Sequence, residues 1–150
     1  MRLVLQRVRQ ASVTIDGELH SAIDKGLLVF VGIGNNDGPD DIDWLCRKML
    51  SMRIFSDTEG KMNLDVQQAN GEVLAVSQFT LHASTKKGNR PSFVASAPPG
   101  IARPLYELFL ARVSEMMQSP CRSGVFGADM QVSLVNDGPV TILLDSRDRE

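Results

Sequence analysis

Histidine and cysteine, the side chains most used for metal binding and nucleophilic catalysis, occur only twice each in this chain. Cys46 and Cys121 stand far apart with no metal-like spacing, so no metal centre and no cofactor is expected. They read as packing residues kept reduced in a cytosolic setting. His20 falls in a hairpin and reads as a surface residue. His82 follows an apolar strand at the mouth of a long loop, where it either lines a site or is simply solvated; the solvated reading is preferred. A Walker loop, a dinucleotide fingerprint, a Gly-x-Ser-x-Gly elbow and a His-Glu-x-x-His motif are all missing. Acidic residues are scattered over turns and helix surfaces, with no pair spaced for shared acid–base work. These absences exclude a His-based triad. No apolar run approaches the roughly 20 residues that span a bilayer, and Met1-Arg2-Leu3 does not open a signal peptide. The expected location is the cytoplasm, with no membrane partner. A net charge of −2 gives no field that would attract DNA, and any RNA contact must come from a local patch.

What is present describes a globular chain. With 43% hydrophobic and 23% charged residues, residues 1–150 read as a single domain. Arg2–Val8 and Ser12–Ile15 read as strands, and Asp16-Gly17 as a hairpin turn into Glu18–Ile23. The continuous apolar run from Gly26 to Ile33 predicts a central strand. Pro39 is placed to open a helix in which Ile42, Leu45, Cys46, Met49 and Leu50 recur at helical spacing. Ile54-Phe55 reads as extended, and Asn70-Gly71 as a hairpin leading into a strand from Glu72 to Leu81. His82–Gly100 is irregular, and long loops of this kind are often functional. In a second helix Leu105, Leu108, Phe109, Arg112, Val113 and Met116 share a stripe, ending at Ser119-Pro120. Whether Pro104 opens this helix or kinks one begun at Pro99 stays open. The prediction is a mixed α/β, strand-dominated domain with a curved or barrel-like sheet and two main helices.

Four features carry possible chemistry. In Asn136-Asp137-Gly138-Pro139-Val140-Thr141, a turn is predicted between two strand-like runs. Gly138 permits unusual backbone angles, Pro139 removes a donor, and their peptide bond can be cis at low cost. Such a turn displays carbonyl oxygens with no side chain in front of them. Ser77-Gln78-Phe79-Thr80-Leu81 is predicted at a strand end, with Ser77, Phe79 and Leu81 on one face and Gln78 and Thr80 on the other. Its hydroxyls, amide and backbone N–H groups can hold an oxyanion, or merely satisfy local backbone groups. Lys86-Lys87-Gly88-Asn89-Arg90 is a basic loop able to grip phosphates, or a solvated loop. Arg7 lies within an apolar strand, where a charge must either reach solvent or brace a backbone carbonyl.

Together these residues resemble the D-aminoacyl-tRNA deacylase family over essentially the whole chain. Ser77-Gln78-Phe79-Thr80-Leu81 and Asn136-Asp137-Gly138-Pro139-Val140-Thr141 look like its two signature motifs, in the expected order and separation. Leu5-Gln6-Arg7-Val8, Gly60-Lys61-Met62-Asn63 and Gly124-Val125-Phe126-Gly127-Ala128 look similar too. A related family that edits misacylated threonyl species departs at both motifs; the first motif here follows the D-specific pattern. The resemblance implies a homodimer with active sites at the interface, each receiving the 3′ end of an aminoacyl-tRNA. It implies that Ser77, Gln78, Phe79 and Thr80 line the catalytic pocket. A Gly-cisPro pair, Gly138-Pro139, is implied to reach into the partner's pocket, with Arg7 orienting it and Asn136 beside it. Lys86, Lys87 and Arg90 are candidate tRNA contacts.

The implied reaction is hydrolysis of D-aminoacyl-tRNA, and of glycyl-tRNA mischarged on tRNA(Ala), with L-esters excluded by backbone carbonyls and the tRNA 2′-OH assisting. Two other classes stay open. One is a threonine-nucleophile esterase acting on a small ester through Thr80. The other is a non-catalytic tRNA-binding dimer, the preferred reading of the residues without the resemblance, because no general base is visible.

Overall fold

In the computed structural model, which describes residues 1–149, one long strand organises the sheet. β1 (Arg2–Ile15) forms a tight hairpin with β2 (Glu18–Ile23). Asp16 and Gly17 both adopt positive φ in that turn, +52° and +80°, as a two-residue hairpin of the primed type requires. β3 (Gly26–Gly32) lies antiparallel to the first half of β1, with Leu3 opposite Val31 and Leu5 opposite Val29. Its other edge runs parallel to β6 (Glu72–Ser77), with Val29 opposite Ala75. Flanked on both edges and covered on both faces, β3 reads as an unbroken apolar run for that reason. β7 (Arg122–Ser123) adds to β6 in parallel. The Ser21 hydroxyl of β2 donates to the Ser123 carbonyl at 2.8 Å, drawing the sheet into a nearly closed barrel. β4 (Phe55–Ser56) and β5 (Met62–Leu64) form a separate ribbon.

Two cores follow from this curvature. Inside the barrel lie Val8, Val13, Leu28, Leu74 and Val76. Outside it, α1 (Pro39–Ser51) and α2 (Pro99–Met117) cover the other face. There Ile42, Leu45, Met49, Phe109 and Val113 pack against Leu3, Leu5, Leu27 and Val29. Burying a side chain of this size contributes about 1.5–3 kcal/mol. Pro39 opens α1 as predicted, and the predicted α1 stripe is the buried one. α2 begins at Pro99, so Pro104 falls inside it; the Ile101 and Ala102 N–H groups already donate to the Pro98 carbonyl at 2.9 Å.

Several sequence expectations are corrected. The polar Arg9-Gln10 step does not break β1, because β8 (Gln131–Asp145) pairs across it, with Gln10 opposite Val135. β8 is likewise one strand, not two runs about a reversing turn. Both halves stay on β1, with Val13 opposite Val132 and Leu3 opposite Leu144. Between the pairs Val8–Asn136 and Gln6–Thr141, β1 advances two residues and β8 five, so three residues stand out as a bulge. Asn70, at φ +53°, makes the turn its sequence predicts, but not a hairpin. The preceding residues coil, with the Ala69 N–H on the Asp65 carbonyl and the Gly71 N–H on the Val66 carbonyl, and β6 pairs with β3 and β7 instead. β6 ends at Ser77, and Phe79–His82 form a single 3-10 turn. The predicted alternation of Ser77, Phe79 and Leu81 on one strand face is therefore overturned.

A polar cluster closes the end of the barrel nearest α1. The Met1 ammonium sits 2.7 Å from Asp37, and Arg147 lies 3.1 Å from Asp41. Burial disfavours the Asp41 carboxylate, but hydrogen bonds from Ser146 and the Gly38 N–H, with the Arg147 charge, hold its pKa below the usual value. Asp145 is lowered in the same way, burial being outweighed by the Arg147 N–H and by Arg2.

Gly26 has no room for a Cβ, which would lie 2.0 Å from the Glu72 carbonyl oxygen across the β3–β6 pair. Gly26→Ala is expected to destabilise the protein by about 3 kcal/mol in a urea titration. The lowered carboxylates set the acid limb of stability. Their folded-state values lie below the unfolded ones, so the stabilisation is complete above the unfolded value and is lost as pH falls toward the folded one. The thermal midpoint is expected to stay level from about pH 7 to about pH 5 and to drop below about pH 4. Asp41→Asn should flatten that drop.

Candidate active site

At the end of β6 the barrel opens into a cavity of about 630 Å³. Its walls are apolar where Val31, Val76 and Val132 reach it, and polar where Ser77, Gln78 and Ser96 do. Phe79 and Phe93 meet edge to face at the mouth, with centroids 5.0 Å apart. The stretch Phe126–Met130 forms another wall. The wall and Phe93 were not among the residues singled out for the site from sequence, although Gly124–Ala128 carried part of the resemblance.

The polar edge of the cavity is built by the 3-10 turn. The Gln78 N–H donates to the Val31 carbonyl at 2.8 Å, which carries the chain from β6 into the turn along β3. The Leu81 N–H then closes back onto the Gln78 carbonyl at 3.3 Å. The N–H groups of Phe79 and Thr80 open the turn, where a helical turn has no acceptor of its own to offer. They form a pair of donors beside Ser77 and Gln78. The Gln78 side-chain amide donates to the Thr80 hydroxyl oxygen at 2.5 Å. That bond occupies a lone pair of the oxygen and leaves its hydrogen to be given away. Among the described residues no base is hydrogen-bonded to the Thr80 hydroxyl, as activation of a nucleophile requires.

Among the described residues the cavity lining holds one carboxylate, Asp129 on the Phe126–Met130 wall, and no histidine or cysteine. His82 is half-buried, not solvated as the preferred reading had it, and does not line the cavity. It packs against Gly32 and Gly34, and its enclosed Nε2 has no hydrogen-bond partner among the described residues. His20 is exposed, as predicted. Burial pushes the thiols of Cys46 and Cys121 up to about 12, so both stay protonated near neutral pH. Among the described residues no group of three or more His, Cys, Asp or Glu is placed to hold a metal ion.

The second motif lies elsewhere on the molecule. Gly138 sits in the bulge of β8 at φ +126°, a conformation that favours glycine, and the Gly138–Pro139 bond is cis. A Cβ on Gly138 would lie 2.8 Å from an Arg7 nitrogen and 2.9 Å from Val140. Arg7, only 8% exposed, donates to the Asp137 carbonyl at 3.0 Å and the Ile54 carbonyl at 2.5 Å. Of its two sequence readings, bracing a carbonyl describes it and reaching solvent does not. The Asn136 side-chain amide donates to the Arg7 and Val140 carbonyls, each at 3.0 Å, stapling the base of the bulge. Arg9, which the sequence did not single out, pairs with the Asp137 carboxylate at 3.1 Å. Neither Gly138 nor Pro139 lines the cavity of its own chain.

Lys86, Lys87 and Arg90 are all exposed. Ser84 and Ser92 exchange backbone hydrogen bonds of 2.8 and 2.9 Å, which pinch their loop at its base next to Phe93. The structure therefore brings Ser77, Gln78 and Phe79 to the cavity wall, holds Thr80 exposed beside it through its bond to Gln78, sets the basic loop next to Phe93, and keeps Arg7, Asn136, Gly138 and Pro139 as a separate group.

Comparison with known proteins identifies the family. The family model described as D-Tyr-tRNA(Tyr) deacylase matches residues 4–145. Proteins named D-aminoacyl-tRNA deacylase from Akkermansia muciniphila and Bacteroides thetaiotaomicron are 57% and 54% identical to this chain, over 100% of both partners in each case. A solved structure described as a c-Myc DNA Unwinding Element Binding Protein superposes with a TM-score of 0.92 at 41% identity, covering 97% of this chain and 98% of that one. A structure described as a probable eukaryotic D-amino acid tRNA deacylase shares the fold, with a TM-score of 0.82 at 17% identity over 95% and 97%. With the family match running from β1 to the end of β8, the chain belongs to the D-aminoacyl-tRNA deacylase family and is a hydrolase of ester bonds.

Proposed function

We propose that this protein, as one deacylase domain over residues 1–150, works in the cytoplasm as a homodimer that removes D-amino acids from tRNA by excluding L-esters. The observation that carries this reading is the separation of the two motifs. A bare, clamped backbone corner at Gly138-Pro139 has no cavity of its own chain to serve, while the cavity at Ser77–Thr80 lacks any such corner. A second copy supplies each with the other. The second edge of β8 is free among the described residues, and Val135 and Leu143 on that strand are 44% and 64% exposed. An unpaired apolar edge of this kind favours association.

In that dimer the 3′ end of the aminoacyl-tRNA enters the cavity of one subunit, with Lys86, Lys87 and Arg90 against its phosphates. The partner's Gly138 and Pro139 carbonyls crowd the position that an L-side chain would occupy. A D-configured centre, or the achiral glycyl ester on tRNA(Ala), leaves that position empty. Arg7 and Asn136 keep the corner rigid, so it cannot rotate away as a side chain could.

Water adds to the ester carbonyl, and the developing oxyanion is held by the Phe79 and Thr80 N–H groups. The carbon–oxygen bond to the terminal ribose then breaks, and the proton lost by water ends on the departing ribose oxygen. The products are free D-amino acid and tRNA. With the Thr80 oxygen already accepting from Gln78, the neighbouring ribose 2′-OH is the group placed to relay that proton. A threonine nucleophile on a small ester would need a base on Thr80, and among the described residues none is hydrogen-bonded to it. Nucleic-acid binding without hydrolysis keeps one observation in its favour, the DNA-binding description of a close structural relative.

Single-turnover assays decide among these. D-Tyr-tRNA and Gly-tRNA are expected to be hydrolysed rapidly and L-Tyr-tRNA slowly; rapid L-Tyr release overturns the exclusion model. Binding of all three without release would leave only the non-catalytic reading. Replacing the terminal adenosine by its 2′-deoxy form is expected to slow release by about 100-fold, while Thr80→Ala slows it by about 10-fold or less. The opposite pattern, with a trappable acyl-enzyme, would make Thr80 the nucleophile.

A further inference from the structure

We infer that Ser96 is a positioning residue for the deacylation, acting through the peptide plane that joins Phe79 to Thr80. The inference rests on the placement of the site at the 3-10 turn proposed above. The Ser96 hydroxyl donates to the Phe79 carbonyl at 2.9 Å. That carbonyl and the Thr80 N–H belong to one rigid planar unit, so fixing the first fixes the direction of the second. A hydrogen bond on the oxygen of that plane therefore aims the donor on its opposite edge.

The anchor is itself held. The Ser96 N–H donates to the Phe93 carbonyl at 3.0 Å, and the next residue, Ala97, donates to the Ile33 carbonyl at 2.9 Å. The turn hangs from Val31, at the end of β3, through the Gln78 N–H. Ser96 and the turn are thus referenced to the same stretch of chain two residues apart, and the serine sets the angle between them. Along the 3-10 turn the His82 N–H donates to the same Phe79 carbonyl, so among the described residues Ser96 is its donor from outside the turn. Without the hydroxyl the oxygen keeps only the bond along the turn, and the sideways tie to the Ile33–Ala97 segment is lost, so the plane is free to tilt about the turn axis. Because the bond lies at an exposed position, the loss falls on orientation and not on stability.

Ser96→Ala and Ser96→Thr are compared with the native enzyme on D-Tyr-tRNA. Ser96→Ala is expected to lower kcat about 10-fold with KM within about twofold. Its thermal midpoint should stay within about 2 °C of native. Ser96→Thr keeps the hydroxyl and should restore most of kcat. In the substrate-free enzyme, the Thr80 amide resonance should shift in Ser96→Ala and return in Ser96→Thr; a serine that only touched substrate would leave it unmoved. An unshifted Thr80 amide, or an unchanged kcat, overturns the inference. Phe79→Ala, which removes a wall of the cavity, separates the two levels. If it is slow while Ser96→Ala is not, only the role of Ser96 fails. If both keep the native rate, the site has been placed wrongly.

Discussion

A guanidinium inside a sheet must find acceptors or the sheet does not form around it, and Arg7 is that constraint here. Burying its charge without partners would cost several kcal/mol. Its partners lie on two distant segments and not on its own strand: the backbone carbonyl and the carboxylate of Asp137 in the bulge of β8, and the Ile54 carbonyl ahead of the β4–β5 ribbon. One cation thereby fixes the spacing of three parts of the chain. The bulge takes up three more residues of β8 than of β1 between the pairs Val8–Asn136 and Gln6–Thr141, and Arg7 and Asn136 grip it at two points. Gly138 is the residue that fits such a corner, given its backbone angle and the nitrogen pressed against it.

The cavity shows a different economy. Its polar edge is rich in donors, the carboxylate in its lining among the described residues is Asp129, and the Thr80 hydroxyl beside that edge accepts a hydrogen bond from its own neighbour in the motif. In the function proposed above, such a site holds and orients an ester and leaves the proton traffic to groups the substrate brings.

Much of this was legible in the sequence, for reasons that are local. The Asp16-Gly17 hairpin, the Pro39 helix start and the buried run of β3 depend on residue type and near neighbours, and all stand as read. What misled were signals whose meaning depends on distant partners. Asn70-Gly71 dictates a turn, but not whether the next strand folds back or crosses to a parallel neighbour; β3 decided that. The run from Val76 to Leu81 alternates like a strand, yet pairing stops at Ser77 because β3 ends opposite it. Gly138-Pro139 reads as a reversal, while the apolar residues on both sides of it find the same partner, β1. The candidate residues for the cavity came from the motif itself. Ser96 and Phe93 join them only through folding, since no spacing in the sequence links residue 96 to residue 79.

The pairing of β1 with β8 also has a consequence in time. The ribosome delivers β1 first, and residues 16–130 must follow before β8 begins to emerge. At ordinary elongation speeds that interval is about 10 s. Throughout it, β1 can hold β2 and β3 on one side, while the side reserved for β8 remains an open row of donors and acceptors. The nascent chain is therefore most exposed to pairing with the wrong strand during the synthesis of its own middle, and release from that hazard comes only with the last strand made.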